Sequence, residues 1–332
     1  MLVIHMGMPK TGTTALQKGL AAAADELLRH GIFYPDEYRN SEGIAHHALP
    51  NEIMKRCDLS GPQATKFMEL VRASSAPRIL ISSEAFTNLL SQSSIFAFLE
   101  LIRECAKQRP VRLVIACRRV DSFLESMYLH SVKVGDITAA VSDYIEARER
   151  WAKNLFAQLS VLRNINILQR LILVKYQRGP EYWPSLLRAL DVRPCELVEI
   201  PVSSNERLGL KAQTLLRHLD AFSGRIGYPL ERPQLIQSFE RGEFAFAEEK
   251  RRYSVLDHYQ RLFLHENALR VALQAGILEY VGFFSGDKPE RLENYGFDEA
   301  HLTADDLQDL RAFVTAQTTK AGVRSTQGSA DA

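Results

Sequence analysis

The stretch Leu2-Val-Ile-His-Met-Gly7-Met-Pro9-Lys10-Thr11-Gly12-Thr13-Thr14-Ala-Leu-Gln17 decides how this chain is read. The apolar run Leu2 to Met6 has the character of a strand. Gly7, Pro9 and Gly12 make a tight turn, and a helical pattern opens at Thr13. A strand that passes through a glycine-containing loop into a helix N-terminus forms an anion site. Backbone N–H groups converge there, and the helix dipole adds partial positive charge.

Working outward, Thr13 to Arg29 predicts a helix, with Ala15, Leu16, Leu20, Ala24, Leu27 and Leu28 near a 3.6-residue period and Gly31 placed to end it. Ile32 to Pro35 reads as a short extended piece, 36–61 as polar and irregular, and Pro62 to Ala73 as a helix. Arg78 to Ser82 and Val111 to Cys117 are continuous apolar strands, which points to a parallel sheet covered on both faces. Helices are expected from Ser94 to Lys107, from Asp121 to Val132 and from about Thr138 to Leu162. A further strand follows at Ile172 to Tyr176, then an αβ pair over Tyr182 to Ile200, and from Asn205 onward the chain reads as mostly helical. The alternation predicts an α/β fold: a doubly wound parallel β-sheet of P-loop type flanked by helices, with a mostly helical C-terminal extension. One domain is expected over 1–320, with a nucleotide-binding α/β core at 1–200, a helical part at 201–320 and a flexible tail at 321–332.

Among 332 residues, 41 Lys and Arg face 40 Asp and Glu, a net charge of +1, which argues against bulk electrostatic binding to nucleic acid or an anionic membrane. No segment reaches the roughly 20 apolar residues of a membrane span, and no basic stretch precedes the first apolar run as in a signal peptide. The four cysteines, Cys57, Cys105, Cys117 and Cys195, are scattered without a C-x-x-C pair, which fits a reducing compartment and a cytoplasmic location.

In open parallel sheets, ligands bind beyond the carboxyl ends of the strands. Three strand ends carry polar clusters: Lys10 to Thr14, Ser82-Ser83-Glu84, and Arg118-Arg119. They are expected to converge. The spacing Gly7-x-x-x-x-Gly12 is close to the nucleotide P-loop, but that loop places Lys directly after its second Gly, where this chain has Thr13. The loop's cation is Lys10 instead. The N–H groups of Gly12, Thr13 and Thr14 are candidates to hold a phosphate, with the Thr hydroxyls as further donors. Arg118 and Ser126, eight positions apart, make a second phosphate-binding pair, because a planar guanidinium and a hydroxyl suit phosphate oxygens. Arg119 reads as a solvated neighbour or a structural ion-pair partner, His5 as a core or sheet-end histidine, and Trp151 and Trp183 as core aromatics with an acceptor cleft as the other possibility.

Pro9-Lys-Thr-Gly-Thr-Thr14 resembles the 5′-phosphosulfate loop of sulfotransferases that use 3′-phosphoadenylyl sulfate (PAPS). Arg118-Arg-Val-Asp-Ser-Phe-Leu-Glu-Ser126-Met-Tyr128 is similar to the 3′-phosphate motif of that family. Together they cover about twenty residues, in the family's order. The resemblance implies transfer of a sulfuryl group from PAPS to a hydroxyl or amine, possibly on a carbohydrate, with release of 3′-phosphoadenosine 5′-phosphate (PAP). It implies no metal. It places Lys10 beside the oxygen that bridges phosphate and sulfur, where negative charge develops as the S–O bond breaks. It gives Thr11, Gly12, Thr13 and Thr14 the 5′-phosphate, and Arg118 and Ser126 the 3′-phosphate. A late basic residue, Arg207 or Lys211, would reach back to the 3′-phosphate.

The acceptor must lose a proton as it attacks. Glu84, at the end of its strand, is the favoured base. The competing reading is an N-cap or first-turn Glu that stabilises the helix after it. His46 and His47 are the other candidates. The expected partner is a small-molecule or glycan acceptor, with no nucleic acid. Two alternatives stay open: a P-loop kinase using ATP, and a non-catalytic PAP-binding module.

Overall fold

Five apolar runs assemble into one sheet in the computed structural model of the chain, which describes residues 1–90, 93–136, 140–179, 181–193, 198–200, 208–247, 253–289 and 302–327. The strands are Leu2–His5 (β1), Ile32–Phe33 (β2), Arg78–Ser82 (β3), Val111–Cys117 (β4) and Arg170–Lys175 (β5). They pair in the order β2-β3-β1-β4-β5, every pair parallel. The helices are Thr13–Ala22 (α1), Ala24–Arg29 (α2), Ala48–Arg56 (α3), Pro62–Ala73 (α4), Ala85–Leu89 (α5), Ile95–Ala106 (α6), Val120–Val134 (α7), Val141–Asn164 (α8), Tyr182–Ala189 (α9), Leu210–Arg217 (α10), Leu219–Ile226 (α11), Arg232–Arg241 (α12), His258–Gln274 (α13), Leu278–Phe284 (α14) and Ala304–Gln327 (α15).

The expected α/β class with a parallel sheet flanked by helices is what the chain forms. Both faces of the sheet are buried, which is why its central strands carry no polar alternation. On one face Val3, Leu80, Val114 and Ala116 pack against Leu16 and Leu20 of α1, Leu27 of α2 and Leu186 and Leu187 of α9. The alternate residues Ile4, Ile79, Ile81, Leu113 and Ile115 are equally buried. Truncating a core side chain such as Leu16 to Ala would cost about 2–5 kcal/mol.

Because all strands run the same way, their C-terminal ends share one edge. His5 lies opposite Ser82 of β3 and Val114 of β4. The chain leaving β1 stays on β4 a little longer: Met6 N–H donates to Val114 O and Met8 N–H to Ala116 O, at 2.8 and 3.0 Å. This pairing delivers the Pro9–Gly12 turn to the sheet edge.

Packing divides the chain into two units. The first comprises Met1–Phe123, Glu146–Ser204 and Leu262–Lys288 and contains the sheet. The second comprises Leu124–Ile145, Asn205–Arg261 and Pro289–Ala332. It is helical among the described residues apart from an isolated bridge residue, and has its own apolar centre around Leu215, Leu216, Phe222, Leu235, Phe246, Leu302 and Leu310. A boundary near residue 200 therefore differs from the packing in two places. Tyr128, Leu129 and Val132 bury with Leu210, Tyr253 and Val255 of the second unit. Residues of α14 pack beside β5 in the first.

Other differences are local. The expected irregular 36–61 contains α3, whose Pro50 sits in the first turn, where its missing N–H breaks no helical bond. The helix expected from Thr13 to Arg29 bends at Ala23, although i→i−4 bonding continues across it through Ala23 N–H to Gly19 O and Leu27 N–H to Ala23 O. α15 runs to Gln327, into the stretch expected to be a tail. The strand expected before Ile200 falls partly outside the described residues. Among the described residues no helix is long and apolar enough to cross a membrane.

Candidate functional site

The site is built on the ends of β1, β3 and β4 in the first unit. After β1 the chain curls through two left-handed residues, Lys10 at φ 64° and Gly12 at φ 77°. For Lys10 that conformation costs about 1–2 kcal/mol, a strain that accumulates at functional loops. Gly12 has a double requirement. Its φ favours glycine, and a Cβ there would come within 2.6 Å of the Trp183 ring. At Gly7 a Cβ would run into the side chains of Thr11 and Thr13.

Gly12 caps α1 without any side-chain capping bond. Among the described residues, no carbonyl or side chain accepts a hydrogen bond from the N–H groups of Gly12, Thr13 or Thr14. These donors stand at the positive end of the helix dipole. The Thr11 hydroxyl does not join them. It is buried and donates to Met8 O at 2.6 Å, closing the loop on itself. Thr11 thus shapes the cradle instead of lending its hydroxyl as a donor.

The loop is braced from two sides. Tyr182 of α9 donates its hydroxyl to Thr11 O at 2.9 Å, and its neighbour Trp183 lies half-buried against Gly12. Trp183 also packs against the apolar core beneath α1 and α9, in line with the expected core role. From the end of β4, Arg118 donates Nη1–H to Lys10 O at 2.8 Å, and its Nε and Nη2 both reach Ser122 Oγ, at 3.0 and 2.8 Å. Its guanidinium lies over the Tyr176 ring, 5.4 Å from the centroid. Arg118 and the loop therefore meet, as expected, but the serine in contact with Arg118 is Ser122. Ser126 belongs to the second unit. Arg119 pairs with the buried Asp121 at 2.7 Å, the ion-pair alternative of its two expected roles.

The end of β3 carries a hydrogen-bonded chain. His5 Nδ1 and Ser82 Oγ are 2.8 Å apart. Gln17 Nε2 donates to Ser82 Oγ at 3.4 Å and to Glu84 Oε2 at 3.0 Å. Glu84 is the N-cap residue of α5 and makes no side-chain capping bond, so the charge–dipole reading of its carboxylate stays open beside the reading as a base. Its other oxygen, Oε1, is 3.7 Å from His47 Nε2. His47 Nδ1 in turn meets Ser83 Oγ at 2.7 Å, and Ser83 Oγ accepts from Ala85 N–H at 3.2 Å. Glu84 and His47 are each a little over a quarter exposed, so both can be reached from solvent.

His46 does not belong to this group. It is fully buried, accepts from Ser82 N–H through Nδ1 at 3.0 Å and donates Nε2–H to Pro35 O at 2.8 Å. Burial lowers it to about 4. With both ring nitrogens occupied it pins the 36–47 segment to β3, and it has no free lone pair for an acceptor proton. The imidazole beside Glu84 is its neighbour, His47. His5 is likewise buried, and desolvation lowers it to about 3.

In the second unit, Lys211 is held by Asp306 at 2.8 Å, and Tyr128 is buried beside Arg217. Arg207 lies outside the described residues. Trp151 stacks on Phe123 at 5.0 Å, a packing role. Gln17, Ser122, Tyr182 and the choice of His47 over His46 escaped sequence reading. Gln17 had one visible signal: an amide set among Ala15, Leu16, Gly19 and Leu20 on the buried face of α1.

No protein-family model matches this chain, and no curated protein matches it.

Proposed function

We propose that this protein is a sulfotransferase that moves the sulfuryl group of PAPS to a hydroxyl or amine acceptor, with a carbohydrate hydroxyl as the favoured class. The observation that carries the reading is the loop at the start of α1. It leaves the N–H groups of Gly12, Thr13 and Thr14 without protein acceptors among the described residues, and its lysine is inside the turn instead of after Gly12. Donors without acceptors at a helix N-terminus suit a phosphate. A lysine directly after the second glycine would serve the β- and γ-phosphates of a metal-bound nucleotide. Lys10, in the turn, suits a donor whose leaving group is a single phosphate oxygen.

On this reading the fold is a doubly wound sheet of P-loop type. The Gly12–Thr14 amides and the Thr13 and Thr14 hydroxyls hold the 5′-phosphate. Arg118, which ties its own strand end to the loop, is the candidate for the 3′-phosphate. PAPS supplies an activated S–O bond. Lys10 stabilises the charge that collects on the phosphate oxygen as that bond breaks. Glu84 removes the acceptor proton as the acceptor oxygen bonds to sulfur, so the products are the sulfated acceptor, PAP and a proton held on Glu84. The place of Glu84 at a strand end, a little over a quarter exposed, supports this role.

The test is transfer of labelled sulfate from PAPS to a panel of glycan and small-molecule acceptors. Lys10→Ala is expected to lower turnover about 10²–10³-fold while leaving PAP affinity nearly unchanged. A protein that binds PAP yet transfers to no acceptor, and in which Lys10→Ala changes nothing, would instead be a PAP-binding module.

A further inference from the structure

Gln17 is 1 % exposed and sits on the apolar face of α1, one turn after Thr13. A buried amide persists in such a place when its hydrogen bonds are satisfied. Here they run to a strand end distant in sequence, to Ser82 Oγ and Glu84 Oε2. The second oxygen of Glu84 faces His47, whose ring is oriented by Ser83. The carboxylate is thus gripped from two sides, and one grip comes from the helix that begins at the anion loop.

We propose that Gln17 is the positioning residue of the transfer reaction. It sets the Glu84 carboxylate at a fixed place relative to the Gly12–Thr14 donors. The inference rests on the assignment of Glu84 as base. Four residues of helix rise about 6 Å. The base is therefore referenced to the loop through one rigid turn, not through the longer path over the sheet. Misplacement of a reacting group by about 1 Å can cost about 10²-fold in rate, so such a short linkage matters. Gln17 touches Glu84 and not the reacting atoms, so it acts through Glu84.

The test uses the full-length chain with Gln17→Leu and Gln17→Glu. PAP affinity is measured by calorimetry, and kcat and KM are measured for PAPS with the acceptor panel. Gln17→Leu is expected to lower kcat about 10- to 100-fold with PAP affinity within about twofold. The loss should fall on kcat, with the KM for PAPS within about twofold. Gln17→Glu, which sets a second acid beside Glu84, should lower kcat at least as far. An active wild type whose kcat stays within about twofold in Gln17→Leu overturns the positioning role alone. A loss of PAP affinity as large as the loss of kcat does so too, because Gln17 then supports the loop. A wild type that neither binds PAP nor transfers a sulfuryl group overturns the positioning role together with the catalytic reading.

Discussion

The ends of β1 and β3 are neighbours in the sheet and use their hydrogen bonds in opposite ways. After β1, the loop turns through two left-handed residues and leaves three backbone donors at the start of α1 without protein acceptors among the described residues. After β3, the side chains of Ser82, Ser83 and Glu84 are each bonded inside the protein, to His5, His47 and Gln17. Open donors at a helix N-terminus make a place for an anion. A closed network makes a place where one carboxylate points in one direction. On the proposed reading the contrast gives binding and proton transfer to different strand ends, with Gln17 as the side chain that joins them.

The sharpest way to break this division is Glu84→Gln. It should lower turnover about 10³-fold and leave PAP affinity unchanged, as read by steady-state kinetics beside calorimetry. Equal losses in both would mean that the two strand ends are not separate in role. Gly12→Ala attacks the other end. A Cβ at φ 77°, 2.6 Å from the Trp183 ring, should weaken PAP binding at least about tenfold through the displaced amides. It should cost about 1–2 kcal/mol in urea unfolding and change Trp183 fluorescence.

How much of this was legible beforehand depends on the range over which each feature is decided. The bounds of β3, β4 and α4 follow from short apolar runs flanked by polar or Pro signals, and the structure keeps them. The Gly7–Gly12 turn, Glu84 at a strand end and Arg118 at another were visible because strand ends are local features. α3 was hidden by Pro50 and its polar setting. The contacts of Gln17 with Glu84, Tyr182 with Thr11 and Arg118 with Lys10 join residues far apart in the chain, which no local pattern reports. The choice between His46 and His47 turns on one residue of register: the ring of one is fixed between Ser82 and Pro35, and that of the next looks toward Glu84.

That pair of histidines gives the smallest effect. His46→Asn removes the partner of Ser82 N–H and of Pro35 O and should cost about 1–3 kcal/mol of stability. Turnover at pH 7 should change far less than in Glu84→Gln. The pH dependence has a definite sign. Burial lowers His46 from its usual 6.5 to about 4, so the fold favours the neutral ring. That contribution is whole above about 6.5, declines as pH falls toward 4, and is worth about 3 kcal/mol in all. Urea midpoints measured from pH 7 down to 4 should fall more steeply in the wild type than in His46→Asn.

The central claim is that the loop holds the 5′-phosphate of PAP without a metal. Calorimetric titration of the purified protein with PAP in the presence of a chelator, and with ATP in the presence of magnesium, tests it most directly. Saturable PAP binding under chelation, with weaker or no binding of the ATP complex, is the result expected. No affinity for PAP, with clear binding of magnesium ATP, would contradict the claim and return the loop to a kinase-like role.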